Sequence, residues 1–550
     1  MMPTQVEDSL LIGSAQATRK AARYLIDAQY EQGYWWADLT ADSTLESDWI
    51  LLQLWLHPPV DGAWKPATRP LIDKAVRAIL ERQLPDGGFN IYPQGPSDIS
   101  ASVKAYFALK LAAGAEGVSP ENYAGALNAC KDRILALGGI QAANSYTKIN
   151  LSIFNLYPRE GCPSVPPEML LLPGNFMYQM SSWTRAIVTP LSVIHALNPR
   201  RPVPAGFHLR ELFVPGVPVT YRRDPNLFTW RNLFLNFDKL LKMWERHGIR
   251  SVRERAIRRA EQWMLERTRY TDGLGAIYPP MQYIIIALDL LGYPPDHPDR
   301  VEAQMQFDRL MVNTDERFYF QPCFSVVWDT AIAAFALGED DNPGTDENAA
   351  LQRCADWLLT KEVRHKGDWS VKRPKTEPSG WYFEFANEYY PDIDDTAMVL
   401  LAPNRSRASN PAEQKACEKR AIRWLLDMQS KDGGWAAFDV DNNWGVLAYV
   451  PFADHNAMLD PTCPDITGRV LEALCAGGLD RSHPAIRRGV QYLIRTQERD
   501  GSWYGRWGVD YIYGTFLALR GLQAAGENDH EAYIQRALEW VRSIQNFDGG

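Results

Sequence analysis

Apolar residues recur along this chain at the three- and four-residue spacing of one helix face. Residues 103–112 and 514–522 show the pattern plainly, and this spacing lines apolar side chains along one side of an α-helix. The alternating spacing that is typical of strands is sparse. The pattern therefore predicts an all-α fold.

A repeated sequence unit recurs at the ends of these predicted helices. It reads a basic and a small residue, an aromatic–aliphatic pair, three further residues, a Gln, and then Gly-x-Trp or a near variant. Clear copies lie around Gln29, Gln83, Gln429 and Gln497, with two degenerate copies at 259–275 and 354–369 and a last copy around Gln545. Glycine-rich turns end helices, so each Gln and Trp is predicted to join one helix end to the next. Separations of 48 to 68 residues between good copies are typical of helix pairs stacked as a toroid, with structural tryptophans.

Composition narrows the class of protein. At 550 residues the chain exceeds one typical core, so we expect two domains or one large toroid. The 58 basic against 67 acidic residues argue against nucleic-acid binding. Seven cysteines without a Cys-x-x-Cys spacing favour thiols in a reducing compartment over disulfides or a zinc site. We find no signal peptide and no run of ~18 apolar residues, so any membrane contact is expected to be monotopic.

The strongest chemical signal is a group of three carboxylates, Asp392, Asp394 and Asp395, at the head of an apolar stretch. Like charges at close range raise at least one pKa, and such a set titrates as a unit. A carboxylic acid that stays protonated near neutral pH can act as a general acid. Asp394, in the middle, is the natural candidate.

Other interpretations of this group were weighed. Aspartates cap helix N-termini, which accounts for Asp392 or Asp395 but not for three carboxylates. An aspartate-nucleophile phosphatase would need an aliphatic strand before the motif, where residues 388–391 read Glu-Tyr-Tyr-Pro. A Mg²⁺-diphosphate site stays conceivable, although no second aspartate-rich run has matching spacing. The run at 439–445 resembles the start of a calcium loop but lacks the Gly and Glu that such a loop needs.

The repeats and the motif Asp-Ile-Asp-Asp-Thr-Ala at 392–397 together resemble the squalene–hopene cyclase family of class II triterpene cyclases. Segments 327–330, 367–374, 435–442 and 500–509 add to the resemblance. The resemblance implies two α/α barrels, one inserted into the other. It places the inserted barrel at residues 20–311 and the acid-bearing barrel at 1–19 plus 312–550. The family continues past Gly550 with further helices, so we expect the acid-bearing barrel to be truncated here.

The resemblance also assigns roles to residues. It implies that Asp394 is the acid, that Asp392 and Asp395 flank it, and that the segment with Asp465 and Arg469 supplies its hydrogen-bonding partner. The family's aromatic cavity residues correspond to Trp183, Trp328, Phe383, Phe452, Trp507 and Tyr513. It implies no metal and no cofactor.

This chain departs from the best-known family member at three positions. Arg469 stands where that member has His, Phe438 where Tyr is expected, and His455 where a phenyl ring is usual. Arg is always cationic, so Arg469 is expected to stabilise a neighbouring carboxylate. The other two changes are expected to alter the fidelity of ring closure.

The expected function is cyclisation of squalene to hopene or hopanol by alkene protonation and a carbocation cascade. Alternatives are a cyclase of another linear isoprenoid or a non-catalytic isoprenoid-binding protein. A protein prenyltransferase β-subunit would need an Asp/Cys/His zinc site, which the sequence does not resemble.

The expected partners are squalene and a membrane lipid surface, with no nucleic acid, and the resemblance leaves a homodimer open. The apolar, basic-flanked segment 228–246 is predicted to lie in the membrane interface or to be a buried barrel helix. The expected location is the cytoplasmic side of the cell membrane, as a monotopic peripheral protein.

Overall fold

The computed structural model describes residues 5–114, 121–339, 344–402, 407–450 and 457–550. This part is helical apart from one short antiparallel hairpin, which confirms the predicted all-α class. The chain forms two compact units. The acid unit comprises Met1–Ala37, Ser325–Asn443 and Asp460–Gly550, and the insert unit comprises Asp38–Phe324 and Trp444–Leu459.

Helices and strands follow one another along the chain. The acid unit contains α1 (Gln5–Ala28), α12 (Val326–Leu337), α13 (Thr345–Leu359), α14 (Ile393–Leu401), α15 (Pro411–Asp427), α16 (Pro464–Ala476), α17 (Pro484–Thr496), α18 (Tyr511–Ala524) and α19 (Ala532–Ile544). The insert unit contains α2 (Thr44–Leu56), α3 (Arg69–Glu81), α4 (Ile99–Ala113), α5 (Glu121–Ala136), α6 (Ser145–Ser152), α7 (Ser182–Leu197), α8 (Trp230–His247), α9 (Arg250–Glu266), α10 (Tyr278–Leu290), α11 (Pro298–Asp308), β1 (Met311–Asn313) and β2 (Phe318–Phe320).

These units differ from the predicted domain boundaries, because the insert unit runs from Asp38 to Phe324 rather than from 20 to 311 and also includes Trp444–Leu459. The first repeat, predicted to start the inserted barrel at residue 20, belongs to the acid unit, because Trp35 donates its backbone N–H to the Thr330 hydroxyl at 3.0 Å. Segment 444–459, predicted to lie in the acid-bearing barrel, belongs to the insert unit. There the Ser181 backbone N–H donates to the Met458 carbonyl at 2.9 Å.

The acid unit has two layers of helices. The inner layer consists of α12, α14, α16 and α18, which contact one another in that order. The outer layer consists of α13, α15, α17 and α19, each of which packs against the helix before it. Every residue of α14 is buried. Large aromatic side chains fill the space between the layers, with Trp424, Trp435 and Trp503 fully buried. The first turns of the inner helices therefore lie side by side, which is what positions the site.

The repeats hold the helix ends as the sequence predicts. In the clearest copy, the Gln429 side-chain amide donates to the Gly433 carbonyl at 2.8 Å and to the Ala485 carbonyl of the next outer helix at 2.9 Å. The Trp435 indole N–H donates to the Leu425 carbonyl at 2.8 Å. Gln29, Gln83 and Gln497 make the corresponding pairs of bonds. The glycine at each turn needs the left-handed backbone, with φ of 95° at Gly433.

The degenerate copy at 354–369 has its tryptophan further along the chain than predicted. Trp381, not Trp369, donates its indole N–H to the Leu358 carbonyl at 2.7 Å. Its backbone N–H donates to the Thr396 hydroxyl at 3.0 Å. Trp369 instead packs edge-on against Trp424, with 5.9 Å between the ring centroids. An insertion between the end of α13 and Gly380 separates the two halves of this repeat and hides its spacing.

Among the described helices, none is both long and apolar enough to cross a membrane.

Candidate active site

The inner helices of the acid unit begin in one shared register. Each carries a threonine whose hydroxyl accepts the backbone N–H of the repeat tryptophan at 2.9–3.0 Å: Thr330, Thr396, Thr467 and Thr515. Two residues before these threonines stand Trp328, Asp394, Asp465 and Tyr513. Four of the predicted site residues therefore occupy the same position in four successive repeats, which brings them to one end of the inner layer. The threonine that recurs two residues after each of them is the sequence signal for this shared position.

Asp392 serves as the N-cap of α14. Its Oδ1 accepts the backbone N–H groups of Asp394 at 2.6 Å and Asp395 at 3.2 Å. In the insert unit, Asp98 caps α4 in the same way, accepting from Ser100 and Ala101 at 2.8 and 2.9 Å. The helix-capping interpretation is therefore confirmed for Asp392. In the α4 repeat, a serine and an alanine occupy the positions of Asp394 and Asp395, so capping alone does not call for those two carboxylates.

Arg469 is the direct partner of Asp394. Its Nε donates to Asp394 Oδ1 at 2.7 Å, and both side chains are buried. The same guanidinium donates through Nη1 to the Met398 sulfur at 3.0 Å and through Nη2 to the Tyr513 hydroxyl. It also lies 5.1 Å from the Trp328 ring centroid. One buried cation thus joins residues from α12, α14 and α18 around the central carboxylate.

Burial dominates the electrostatics of the three carboxylates. Desolvation raises the pKa of Asp394 above its usual value, the Asp465 charge raises it further, and Arg469 opposes both. Burial and the Asp394 charge hold the pKa of Asp392 well above its usual range. The pKa of Asp395 is likewise raised well above that range by burial and by its two neighbours. One arginine cannot balance three ionised carboxylates, so the electrostatics of this set oppose full ionisation.

Within the segment predicted to supply the partner of Asp394, Arg469 makes that contact and Asp465 contacts Trp507. Asp465 Oδ2 accepts the Trp507 backbone N–H at 3.0 Å. Asp465 Oδ1 is buried without a hydrogen-bond partner among the described residues. Asp465 therefore positions Trp507 and acts on Asp394 only through its charge.

The structure describes most of the predicted aromatic residues. Trp328 and Phe383 lie together, with 6.3 Å between ring centroids. Trp507 is about half exposed. Trp183 belongs to the insert unit, where its indole N–H donates to the Ala457 carbonyl at 2.6 Å. Phe452 and His455 fall outside the described residues.

Asp460 is a residue whose role the sequence reasoning missed. Its carboxylate accepts the backbone N–H groups of Ala437, Phe438 and Asp439 at 2.7–3.2 Å. The Ala437 carbonyl in turn accepts the Ile393 N–H at 2.7 Å, next to the acid. Burial and Asp439 raise the pKa of Asp460 to about 7. Asp460 therefore fixes Phe438 relative to the start of α14.

Within the described ranges, no group of three or more His, Cys, Asp or Glu side chains is arranged to hold a metal ion. The buried arginine beside Asp394 fits an acid that works through its own proton, since a cation already occupies the position next to the carboxylate.

Comparison with known proteins gives matches along nearly the whole chain. A family model described as the squalene-hopene cyclase N-terminal domain matches residues 18–316, and the corresponding C-terminal domain model matches residues 324–550. The chain is 38% identical over 548 residues to the squalene–hopene cyclase of Zymomonas mobilis, covering 97% of this chain and 80% of that protein. It is 36% identical to the squalene–hopene cyclase of Alicyclobacillus acidocaldarius, covering 93% and 79%. It is 34% identical to dammaradiene synthase of Dryopteris crassirhizoma, covering 97% and 77%.

Proposed function

Because this chain belongs to the squalene–hopene cyclase family, we propose that it cyclises squalene to hopene or hopanol by protonating a terminal alkene. The observation that carries the proposal is the buried Arg469–Asp394 pair inside a set of three carboxylates. Such a set can hold a proton in a dry environment, which protonation of an isolated alkene demands.

The two oxygens of Asp394 have different tasks in this proposal. Oδ1 accepts from Arg469 Nε, which leaves Oδ2 to carry the acidic proton. When the proton moves to the alkene, Asp394 becomes a carboxylate, and the adjacent guanidinium stabilises it. Asp392 and Asp395 adjust its acidity, because their own raised pKa values limit how much negative charge they add.

The reaction balances without a cofactor. The proton added to the alkene generates a carbocation, and each ring closure moves that charge along the substrate. Loss of a proton from the final cation gives hopene, whereas capture of water followed by loss of one of that water's protons gives hopanol. No electron enters or leaves, so the chain needs only an acid, a water-poor cavity and groups that stabilise the cation.

Aromatic rings are the proposed stabilising groups. An aromatic face attracts a cation by roughly 0.5–2 kcal/mol, and more where water is excluded. Trp328, Phe383 and Tyr513 lie around the acid in the acid unit, and Asp465 holds Trp507. By the resemblance, Trp183 and Phe452 complete the set. None of these groups is a strong nucleophile that would trap the cation.

Incubation with squalene followed by gas chromatography and mass spectrometry tests the proposal. We expect a pentacyclic product, with the hopene-to-hopanol ratio reporting on water access to the final cation. A relative with a different product name, dammaradiene synthase, makes the ring count worth measuring. Recovery of unchanged squalene from folded protein would contradict the proposal. Phe438→Tyr and Arg469→His restore the usual family residues, and a change in product ratio would locate the effect of these departures.

We also propose that the insert unit contacts a membrane lipid surface, from which water-insoluble squalene must be drawn. Along α8, Leu233, Phe237 and Leu240 lie on one helix face and are each more than half exposed. Phe228, just before the helix, is 97% exposed. A contiguous exposed apolar patch of this kind marks an interaction surface. Phe234, by contrast, packs against the cluster that contains Met177 and Leu447.

Liposome flotation tests this contact. Replacing Leu233 and Phe237 with Asp should release the protein from liposomes and slow turnover on membrane-borne squalene more than on detergent-solubilised squalene. Val301→Asp, at an exposed apolar position on α11, is the matched control and should leave flotation unchanged. Equal flotation of both variants would contradict a role for α8. Fractionation of cells should place the protein on the cytoplasmic face of the membrane, and sedimentation would test the homodimer.

A further inference from the structure

A small cavity of about 130 Å³ lies inside the insert unit. Its lining comes from the C-terminal ends of α7 and α8, the first turn of α9 and the turn at 159–163. A single water needs only ~10–15 Å³ by this measure, so the space holds a group of several atoms. Four lining side chains are cationic: Arg159, Lys242, Arg246 and Arg253. The acid and the aromatic residues of the cyclase site do not line it.

His195, on α7, gives the first indication that the cavity has a ligand. The side chain is only 3% exposed, and neither ring nitrogen has a hydrogen-bond partner among the described residues. Burial and the nearby Arg159 charge hold the pKa of His195 well below its usual value, so the ring is neutral. A neutral imidazole has one N–H donor and one acceptor. Leaving both unpaired in the interior is unfavourable, so polar ligand atoms are expected beside them.

Two of the four cations have no ion-pair partner in the described ranges, although Arg159 Nη2 donates to the His195 backbone carbonyl at 3.4 Å and the Arg246 side chain is exposed. Lys242 pairs with Asp238 at 2.8 Å, and Arg253 pairs with Glu168 at 3.1 Å. Neither Arg159 nor Arg246 forms a salt bridge with any residue in the described ranges. A planar guanidinium can donate two parallel hydrogen bonds to an oxyanion, so the two arginines together can bind two of its edges.

The carboxylates of the lining do not cancel this preference. The Glu160 side chain is exposed. Glu245 Oε1 is buried without a partner among the described residues. Burial raises the pKa of Glu245, while the Arg159 charge and a Ser164 hydrogen bond oppose the rise; in its protonated form Glu245 can donate to an anion. The ligand therefore accepts several hydrogen bonds and can also donate one, as a monoprotonated phosphate does.

We propose that this cavity is an oxyanion site that holds a phosphate group, clamped by Arg159 and Arg246 and hydrogen-bonded by His195. The group can come from inorganic phosphate or from a phospholipid headgroup. The second source has a physical basis, because α8 carries both the cavity residues Lys242 and Arg246 and the exposed apolar face. The site is separate from the proposed cyclisation chemistry and stands whether or not squalene is the substrate.

Thermal unfolding in inorganic phosphate, compared with chloride at equal ionic strength, tests the site. Phosphate should raise the Tm of the unaltered protein, because a ligand that binds only the folded state stabilises it. Lys239→Gln, which removes an exposed charge on the same helix outside the cavity, should keep the full rise. Arg246→Gln should lose most of it, with calorimetric titration giving about tenfold weaker phosphate binding.

His195→Phe separates binding from folding. It keeps the ring and removes both unpaired nitrogens, so the Tm without phosphate should be equal or higher, while the phosphate response disappears. No response of the unaltered protein, or the same response in Arg246→Gln, would overturn the proposal.

Vesicles identify the source of the phosphate. Phosphatidylcholine vesicles containing phosphatidylglycerol should abolish the calorimetric phosphate signal of the unaltered protein if the headgroup occupies the site. A signal that persists with these vesicles assigns the site to free phosphate. Either result supports an oxyanion site, whereas an equal phosphate signal from His195→Phe refutes it.

Discussion

Replacing Arg469 with Met should slow catalysis without unfolding the protein. The change keeps an unbranched side chain of similar reach but removes the guanidinium that donates to Asp394 at 2.7 Å. In the proposed mechanism this hydrogen bond strengthens as Asp394 gives up its proton. A hydrogen bond to a charged group contributes about 1.5–3 kcal/mol. Loss of that stabilisation in the transition state corresponds to roughly a 10- to 100-fold lower kcat.

The same change should alter the pH profile in a defined direction. Burial and Asp465 raise the pKa of Asp394, and Arg469 opposes them. Without Arg469 the pKa of Asp394 rises further, so the acid stays protonated to higher pH but is weaker. The alkaline limb of the kcat profile should therefore move to higher pH while the plateau falls. Arg469→Lys, which keeps a cation, should recover part of the rate.

A matched variant separates this effect from general damage. Arg520→Met breaks the ion pair between Arg520 and Glu472, on the neighbouring α18 and α16, which does not involve Asp394. It should keep nearly full kcat and an unmoved pH profile. Squalene turnover measured from pH 5 to 9, with circular dichroism to verify folding, gives the comparison. Equal kcat values for the two folded variants would refute the assigned role of Arg469.

Three further predictions concern stability. Burial raises the pKa of Glu46 from 4.5 to about 7, so the stability that its protonated form contributes is fully present below pH 4.5 and is lost as the pH rises through 7. Relative to the unaltered protein, Glu46→Gln should therefore gain up to about 3 kcal/mol in the free energy of urea unfolding between pH 5 and pH 8. A difference that does not change with pH would contradict this. Gln429→Ala leaves two carbonyls unpaired in a buried turn and should lower the free energy of unfolding by about 1–3 kcal/mol, whereas Gln545→Ala, in an exposed copy, should cost less than about 0.5 kcal/mol. Asp392→Asn should keep the α14 cap, because Asn caps as well as Asp, while Asp392→Ala should lose about 1 kcal/mol in the same assay; equal losses would show that the charge rather than the cap matters.

The sequence predicted the helical class well, because that class depends on local patterns. It also singled out Asp392, Asp394 and Asp395, whose role as an acid group stays a prediction. Three adjacent carboxylates before an apolar run leave few physical interpretations. The capping role of Asp392 was recognised as an alternative and is what its hydrogen bonds show. The choice of Asp394 and Arg469 depends on the family resemblance. In the structure these two side chains form a direct ion pair.

Features that depend on non-local packing escaped the sequence reasoning. An insertion before Gly380 hid that Trp381, not Trp369, completes its repeat. Asp460 binds three backbone N–H groups of a distant loop, which no local spacing reveals. The sequence predicts the environment of segment 228–246 only as a whole, whereas the helix rotation turns Phe234 toward the core and exposes Phe237. Each miss concerns which face a residue presents or which distant backbone it binds.

The most direct test of the account is squalene turnover by Asp394→Asn. The substitution removes the acidic proton with little change in volume, and an amide oxygen can still accept from Arg469. A general acid contributes about 10²- to 10⁴-fold to rate, so the account predicts that product formation falls at least 100-fold while the Tm and squalene binding stay close to those of the unaltered protein. A folded Asp394→Asn protein that retains a tenth or more of the original cyclisation rate would contradict the assignment of Asp394 as the acid.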